Sequence, residues 1–171
     1  MRNRVFALSV LCAATAAVGL AGCAPAPAPS PTSTDCAGVT VIVNFGLLGD
    51  SGGPGDVHAC SPLATGTQTV ADALAAVSVS TQGTAKYGDQ VVCRVNGLPA
   101  ADKPVTVPGH KPFTESCSTM APEFAYWALW LRHPGAAWDY AAEGVSTQKV
   151  APGDAIGIVF TTGGATATPG N

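Results

Sequence analysis

The clearest pattern in the chain is strict alternation. In residues 39–45, Val39, Val41, Val43 and Phe45 fall on one face and Thr40 and Asn44 on the other, the period-two spacing of a half-buried strand. Ile42 interrupts the polar face and predicts partial cover on that side. A stretch rich in Gly and Pro, 46–55, then turns the chain, and 56–60 is expected to return as the second arm of a hairpin with Cys36 and Cys60 near its open end. Val70, Leu74 and Val77 recur at helical spacing behind a Thr able to cap the start, so 70–77 is expected to be the one helix. Residues 90–95 read as a strand, and Asn96-Gly97 supplies the positive backbone dihedrals of a tight turn.

A looser piece containing Val105 and Val107 leads into a loop that ends near Cys117. In 124–131, Phe124, Tyr126, Ala128 and Trp130 alternate with Ala125, Trp127, Leu129 and Leu131, so a strand here has two apolar faces. Its aromatic density, with Pro122 and Pro134 close by, favours strand over helix. Pro152-Gly153-Asp154 is a turn, and Ile156, Ile158 and Phe160 alternate along a closing strand. Together these elements predict an α+β domain, a small mixed sheet with one main helix.

The ends of the chain differ from its middle. Arg2 and Arg4 precede an apolar stretch, 5–20, that finishes in Leu20-Ala21-Gly22-Cys23. Basic start, apolar run and small residues before a Cys follow the order of a bacterial lipoprotein signal, so 1–22 is expected to be removed and Cys23 to carry lipid. Residues 24–35, APAPAPSPTSTD, are expected to form an extended spacer from the membrane. The folded unit is then 36–162, and 163–171 is expected to be a flexible tail.

Composition narrows the function classes. The 171 residues include 8 basic and 11 acidic side chains, a net charge of −3, which gives no basic footprint for nucleic acid. With the signal removed, Cys36, Cys60, Cys93 and Cys117 remain beside Cys23. An exported chain can oxidise them, and four thiols allow three pairings. Pairing of nearest neighbours would close two loops of similar size. Zinc is the competing use, but no C-x-x-C spacing supports it, and no cofactor is expected.

Residues 49–54, GDSGGP, reproduce the nucleophile motif of trypsin-like proteases around Ser51. In those enzymes the Ser follows the other triad members, whereas His58, His110 and His133 all come after Ser51. A Gly-rich hairpin tip is the simpler reading. The three His show no ligand spacing and the acidic residues are scattered singly, so no catalytic or metal site is placed and the protein is read as non-enzymatic. What stands out is the cluster Tyr126, Trp127, Trp130, Trp138 and Tyr140, which suits either a ligand-stacking surface or a core. Arg94, Arg132 and His133 are available to add polar contacts.

The order VTVIVNFG (39–46), Cys60, TVADAL (69–74), VCRVNG (92–97), Cys117, Tyr126-Trp127-Ala128, Trp138-Asp139-Tyr140, Gly144 and Pro152-Gly153-Asp154 resembles the transcobalamin C-terminal-like domain, in particular short actinobacterial surface lipoproteins. The resemblance implies a beta-grasp-like fold and a relation to soluble ligand-binding domains. It also implies a corrinoid as one ligand and a vitamin-uptake membrane transporter as one partner, although no counterpart of the large helical domain that completes the corrinoid site elsewhere in the family is expected in these residues. The expected function is a lipid-anchored surface protein that captures a small molecule on its aromatic hairpin. A protein- or glycan-docking module is the alternative, and a secreted protease inhibitor a further one.

Overall fold

The computed structural model describes residues 36–50, 52–163 and 166–170. The expected signal (1–22), Cys23 with its expected lipid, the expected spacer to residue 35 and Ser51 lie outside the described residues. Among those described, no helix is long and apolar enough to cross a membrane.

The architecture is mixed α+β and mostly strand. Five strands form the main sheet: β1 (Gly38–Asn44), β2 (Val57–Pro62), β6 (Ala125–Arg132), β7 (Asp139–Tyr140) and β9 (Ala155–Thr162), in the order β2-β1-β9-β6-β7. β1 and β9 run parallel at its centre, with Val41 beside Ile156 and Val43 beside Ile158, and the other neighbours are antiparallel. Two small ribbons flank it, β3 (Gln68–Thr69) with β8 (Lys149–Val150) and β4 (Thr81–Thr84) with β5 (Gly88–Val95). The hairpin tip after β1 holds a single helical turn, α1 (Leu47–Asp50), and the main helix is α2 (Val70–Ala76).

The expected helix starts where its cap permits. Thr69 Oγ1 accepts the Asp72 N–H at 3.0 Å, and the Asp72 carboxylate accepts the Thr69 N–H at 3.3 Å, a reciprocal capping box. The side-chain hydrogen bond from Thr69, followed by its backbone N–H, holds the Asp72 carboxyl below the usual range. Val70, Ala73 and Leu74 are buried, and the helix lies over β1 and β2.

The core fills the space between the helix side of the sheet and the flanking ribbons. Val39, Val41, Val43 and Phe45 enter it from the alternating face of the first strand region, and Ile156, Ile158 and Phe160 from β9. The apolar residue on the other face, Ile42, is only 2% exposed, in line with the partial cover expected there. Cys36–Cys60 and Cys93–Cys117 are both bonded, the nearest-neighbour pairing, with Cα atoms 5.5 and 5.4 Å apart. Two such bonds suit an oxidising, extracellular setting.

Residues 96–97 turn the chain as expected. Asn96 (φ 48°) and Gly97 (φ 77°) occupy the two positive-φ positions, and Val95 and Leu98 exchange backbone hydrogen bonds at 2.9 Å. Within the segment expected to be a flexible tail, 163–171, residues 166–170 make contacts with the sheet. Pro169 is buried against β9 at Gly157, where a Cβ would come within 2.0 Å of Pro169 Cγ. In the sheet register Gly157 lies between Ile42 and Trp130, so the missing side chain is the seat for the proline ring. Thr166 is tied down as well, its hydroxyl 2.7 Å from the Tyr126 hydroxyl.

Candidate functional site

Alternation along β6 splits the aromatic cluster between two faces. Trp127 points into the core, 8% exposed, edge-on to Phe45 and Phe160 at centroid distances of 5.5 and 5.2 Å. Its indole N–H donates to the Leu98 carbonyl at 3.0 Å, which satisfies the one polar atom the core would otherwise orphan. Trp130 belongs to the opposite face with Ala128, Val159, Tyr126 and Trp138. The five residues therefore do not form one aromatic platform, because neighbours in a strand point to opposite sides.

A cleft of about 660 Å³ opens beside β6. It is lined by four consecutive residues of β6, Tyr126 to Leu129, and by three consecutive residues of β5, Gln90 to Val92. Consecutive strand residues alternate in direction, so both runs can line one cleft only where it meets the strand edges. β7 explains the opening: it pairs with Trp130 and Leu131 alone, and Ala141 adds one last bond by donating its N–H to the Leu129 carbonyl at 3.0 Å. Beyond Ala141 the chain leaves β6 and crosses to β5, where the Gly144 N–H donates to Gln90 Oε1 at 3.3 Å and the Val145 N–H to the Asp89 carbonyl at 3.2 Å. Gly144 passes so close that a Cβ would lie 2.4 Å from the Asp89 oxygen.

Of the five predicted ligand-binding residues, Tyr126, Trp127 and Tyr140 line this cleft, whereas Trp130 and Trp138 do not. Trp130 lies behind Tyr140, the rings stacked at 4.1 Å and 18°. Trp138 carries the Arg132 guanidinium 4.5 Å from its ring centroid. The indole N–H groups of Trp130 and Trp138 are buried and meet no acceptor among the described residues. Against the lowering effect of the nearby Thr166 hydroxyl, partial desolvation and the neighbouring Tyr126 phenol hold the Tyr140 phenol above the usual tyrosine range.

The expected polar contacts go elsewhere. Arg94 is 7% exposed and committed to the loop before Cys117: its Nε donates to the Pro99 carbonyl at 2.8 Å, Nη1 to Gln82 Oε1 at 3.0 Å and to Cys117 Sγ at 2.7 Å, and Nη2 to the Glu115 carbonyl. His133 Nδ1 lies 2.8 Å from Asp154 Oδ1. Among the described residues, the charged groups that line the cleft are instead Glu123 and Glu143, both exposed, and no Lys or Arg joins them. Sequence reasoning missed these two and the 141–145 wall, because isolated Glu residues in Ala- and Gly-containing loops carry no motif.

Gly52, Gly53 and Pro54 of the protease-like hexamer border a second cleft of about 420 Å³, together with Leu98, Pro99 and Lys103. Among the described residues no His, Asp or Glu lines it. His58 sits on β2, and His110 stacks on Phe124 at 3.9 Å, so the three His occupy separate places. Among the described residues no group of three His, Cys, Asp or Glu is placed to hold a metal ion.

No family model, curated protein or solved structure matches the chain.

Proposed function

We propose that this is a non-catalytic, exported protein, anchored by lipid at Cys23, that captures a ligand in the cleft between β5 and β6. The observation that carries the reading is the cleft itself. It is concave, mostly apolar, of a size usual for ligand sites, and walled by Tyr126, Trp127 and Tyr140. A flat aromatic face would have favoured a protein- or glycan-docking module. The two disulfides agree with export. The central parallel pair β1–β9 and a helix packed over the sheet support the beta-grasp-like reading and, with it, the resemblance to the transcobalamin C-terminal-like domain.

A corrinoid handed to a membrane transporter is the ligand that the resemblance proposes, and the cleft would grip only part of so large a molecule. Ala142 is exposed on the cleft wall, so Ala142→Trp blocks the cleft without touching the core. The test is to purify the full chain and this variant from producing cells, denature both, and identify the released molecules by mass spectrometry. A species released by the parent and absent from the variant is the expected result. Identical release from both overturns cleft capture. Titration with cobalamin, read by tryptophan fluorescence corrected for absorbance, decides the corrinoid.

A further inference from the structure

We infer that the cleft takes a short extended peptide carrying a positive charge, which pairs with the free edge of β6; this rests on the cleft being the ligand site. Among the described residues, the edge away from β9 has no strand beside it from Ala125 to Leu129, because β7 begins its pairing only at Trp130. The Leu129 carbonyl marks that side, since it accepts the Ala141 N–H. Strand periodicity of two then places the Trp127 N–H and C=O on the same side, toward the cleft. Among the described residues no backbone group pairs with either, nor with the Leu129 N–H. A donor and an acceptor from one residue, spaced as in a strand and facing an apolar cleft, are complementary to one residue of a second strand. A ring-shaped or spherical ligand leaves them unused.

Charge supplies the second half of the argument. Glu123 and Glu143 line the cleft, and among the described residues neither is in an ion pair and no cation joins the lining. A Lys or Arg near either end of a bound peptide meets one carboxylate while Tyr126 and Tyr140 offer ring faces to its stem. The open stretch is bounded by the Ala125 N–H, which donates to the Pro122 carbonyl at 3.0 Å, and by the Leu129 carbonyl; from Ala125 to Leu129 it runs about 14 Å at 3.3–3.4 Å per residue, so three to five ligand residues span it.

The test uses the full chain, exported and purified under oxidising conditions, against a pool of acetylated and amidated tetrapeptides randomised at every position. Peptides retained by the protein are identified by mass spectrometry, with Ala142→Trp as the blocked control. The expected result is retention by the parent only, with Lys or Arg enriched at an end position. N-methylation scanned along a retained peptide should cost at least tenfold at the residue opposite Trp127 and leave its immediate neighbours unchanged, since their amides point away. Glu123→Gln with Glu143→Gln should remove the preference for a basic residue without abolishing retention. Retention no better than the blocked control, or N-methylation that costs the same at every position, overturns the inference. If cells yield a non-peptide species that the parent holds and the blocked variant does not, the peptide falls while cleft capture stands. If neither experiment separates parent from blocked variant, both fall.

Discussion

Trp130 and Tyr140 face each other directly across β6 and β7, and their rings stack at 4.1 Å. The geometry follows from the ladder. Leu129 and Leu131 turn their peptide groups toward β7, so Trp130 and Tyr140 form a non-hydrogen-bonded pair, in which opposed side chains come closest. Tyr140 is 50% exposed and Trp130 only 7%, so one ring is the roof of the other. The same tyrosine also lines the cleft, which makes this pair the link between the short strand that ends the sheet and the opening it leaves.

Tyr140→Ala should therefore act in two ways. Loss of the stacked pair should lower stability by about 1 kcal/mol, within the range for aromatic pairs, as read from urea unfolding. Trp130 should become exposed, seen as a red-shifted emission and faster acrylamide quenching. Unchanged Trp130 exposure would mean that other groups, not Tyr140, keep it dry.

Gly157→Val should displace the C-terminal segment while leaving the sheet intact. The added side chain would occupy the space of the Pro169 ring, and the proline is the smaller loss compared with opening β9. Proteolysis near residues 166–170 should accelerate several-fold, with the circular dichroism of the strands preserved. Equal cleavage rates in parent and variant would show that Pro169 does not hold the segment.

Arg94→Met should be more damaging than its place on a short ribbon implies. The guanidinium is buried and bridges the Pro99 and Glu115 carbonyls, the sulfur of Cys117 and the exposed Gln82, so removing it orphans the two buried carbonyls and the buried sulfur. Bonds to charged groups and stranded acceptors predict a loss of about 3 kcal/mol. Arg94→Lys should recover only part of this, because an ammonium lacks the planar fork that meets several acceptors at once. Denaturant midpoints of the two variants provide the check; a Lys variant as stable as the parent would contradict the bridging role.

The legible parts of the fold are those governed by one short period. Residues 39–45 alternate cleanly and enter β1, Val70 and Leu74 repeat at helical spacing in α2, and Asn96-Gly97 is a turn by its own dihedral demands. The strand character of β6 was legible too, but not which of its two apolar faces would be core. That depends on β9 and on Phe45 and Phe160, which surround Trp127. The cleft was illegible because it arises where pairing stops: nothing in Ala141 to Val145 announces that the chain leaves β6 after one further hydrogen bond. The docking of the tail did leave a trace. Gly157 sits alone inside the apolar run from Ala155 to Phe160, the usual mark of a close approach.

Acid should weaken the start of α2 through a single carboxylate. Asp72 has its folded pKa depressed by the hydrogen bonds from Thr69, so the folded state binds its proton less readily than the unfolded chain does. The sign follows: its stabilisation is complete above the unfolded value, about 3.9 for an aspartate, and is lost as pH falls through the lower folded value. Asp72 is fully exposed, so solvent screening keeps the contribution small. Comparing the parent with Asp72→Asn by urea midpoint between pH 6 and pH 3 isolates it. The parent should be the more stable at pH 6, and the difference should shrink toward pH 3. A difference constant across that range would show that the Thr69–Asp72 cap does not depend on the carboxylate charge.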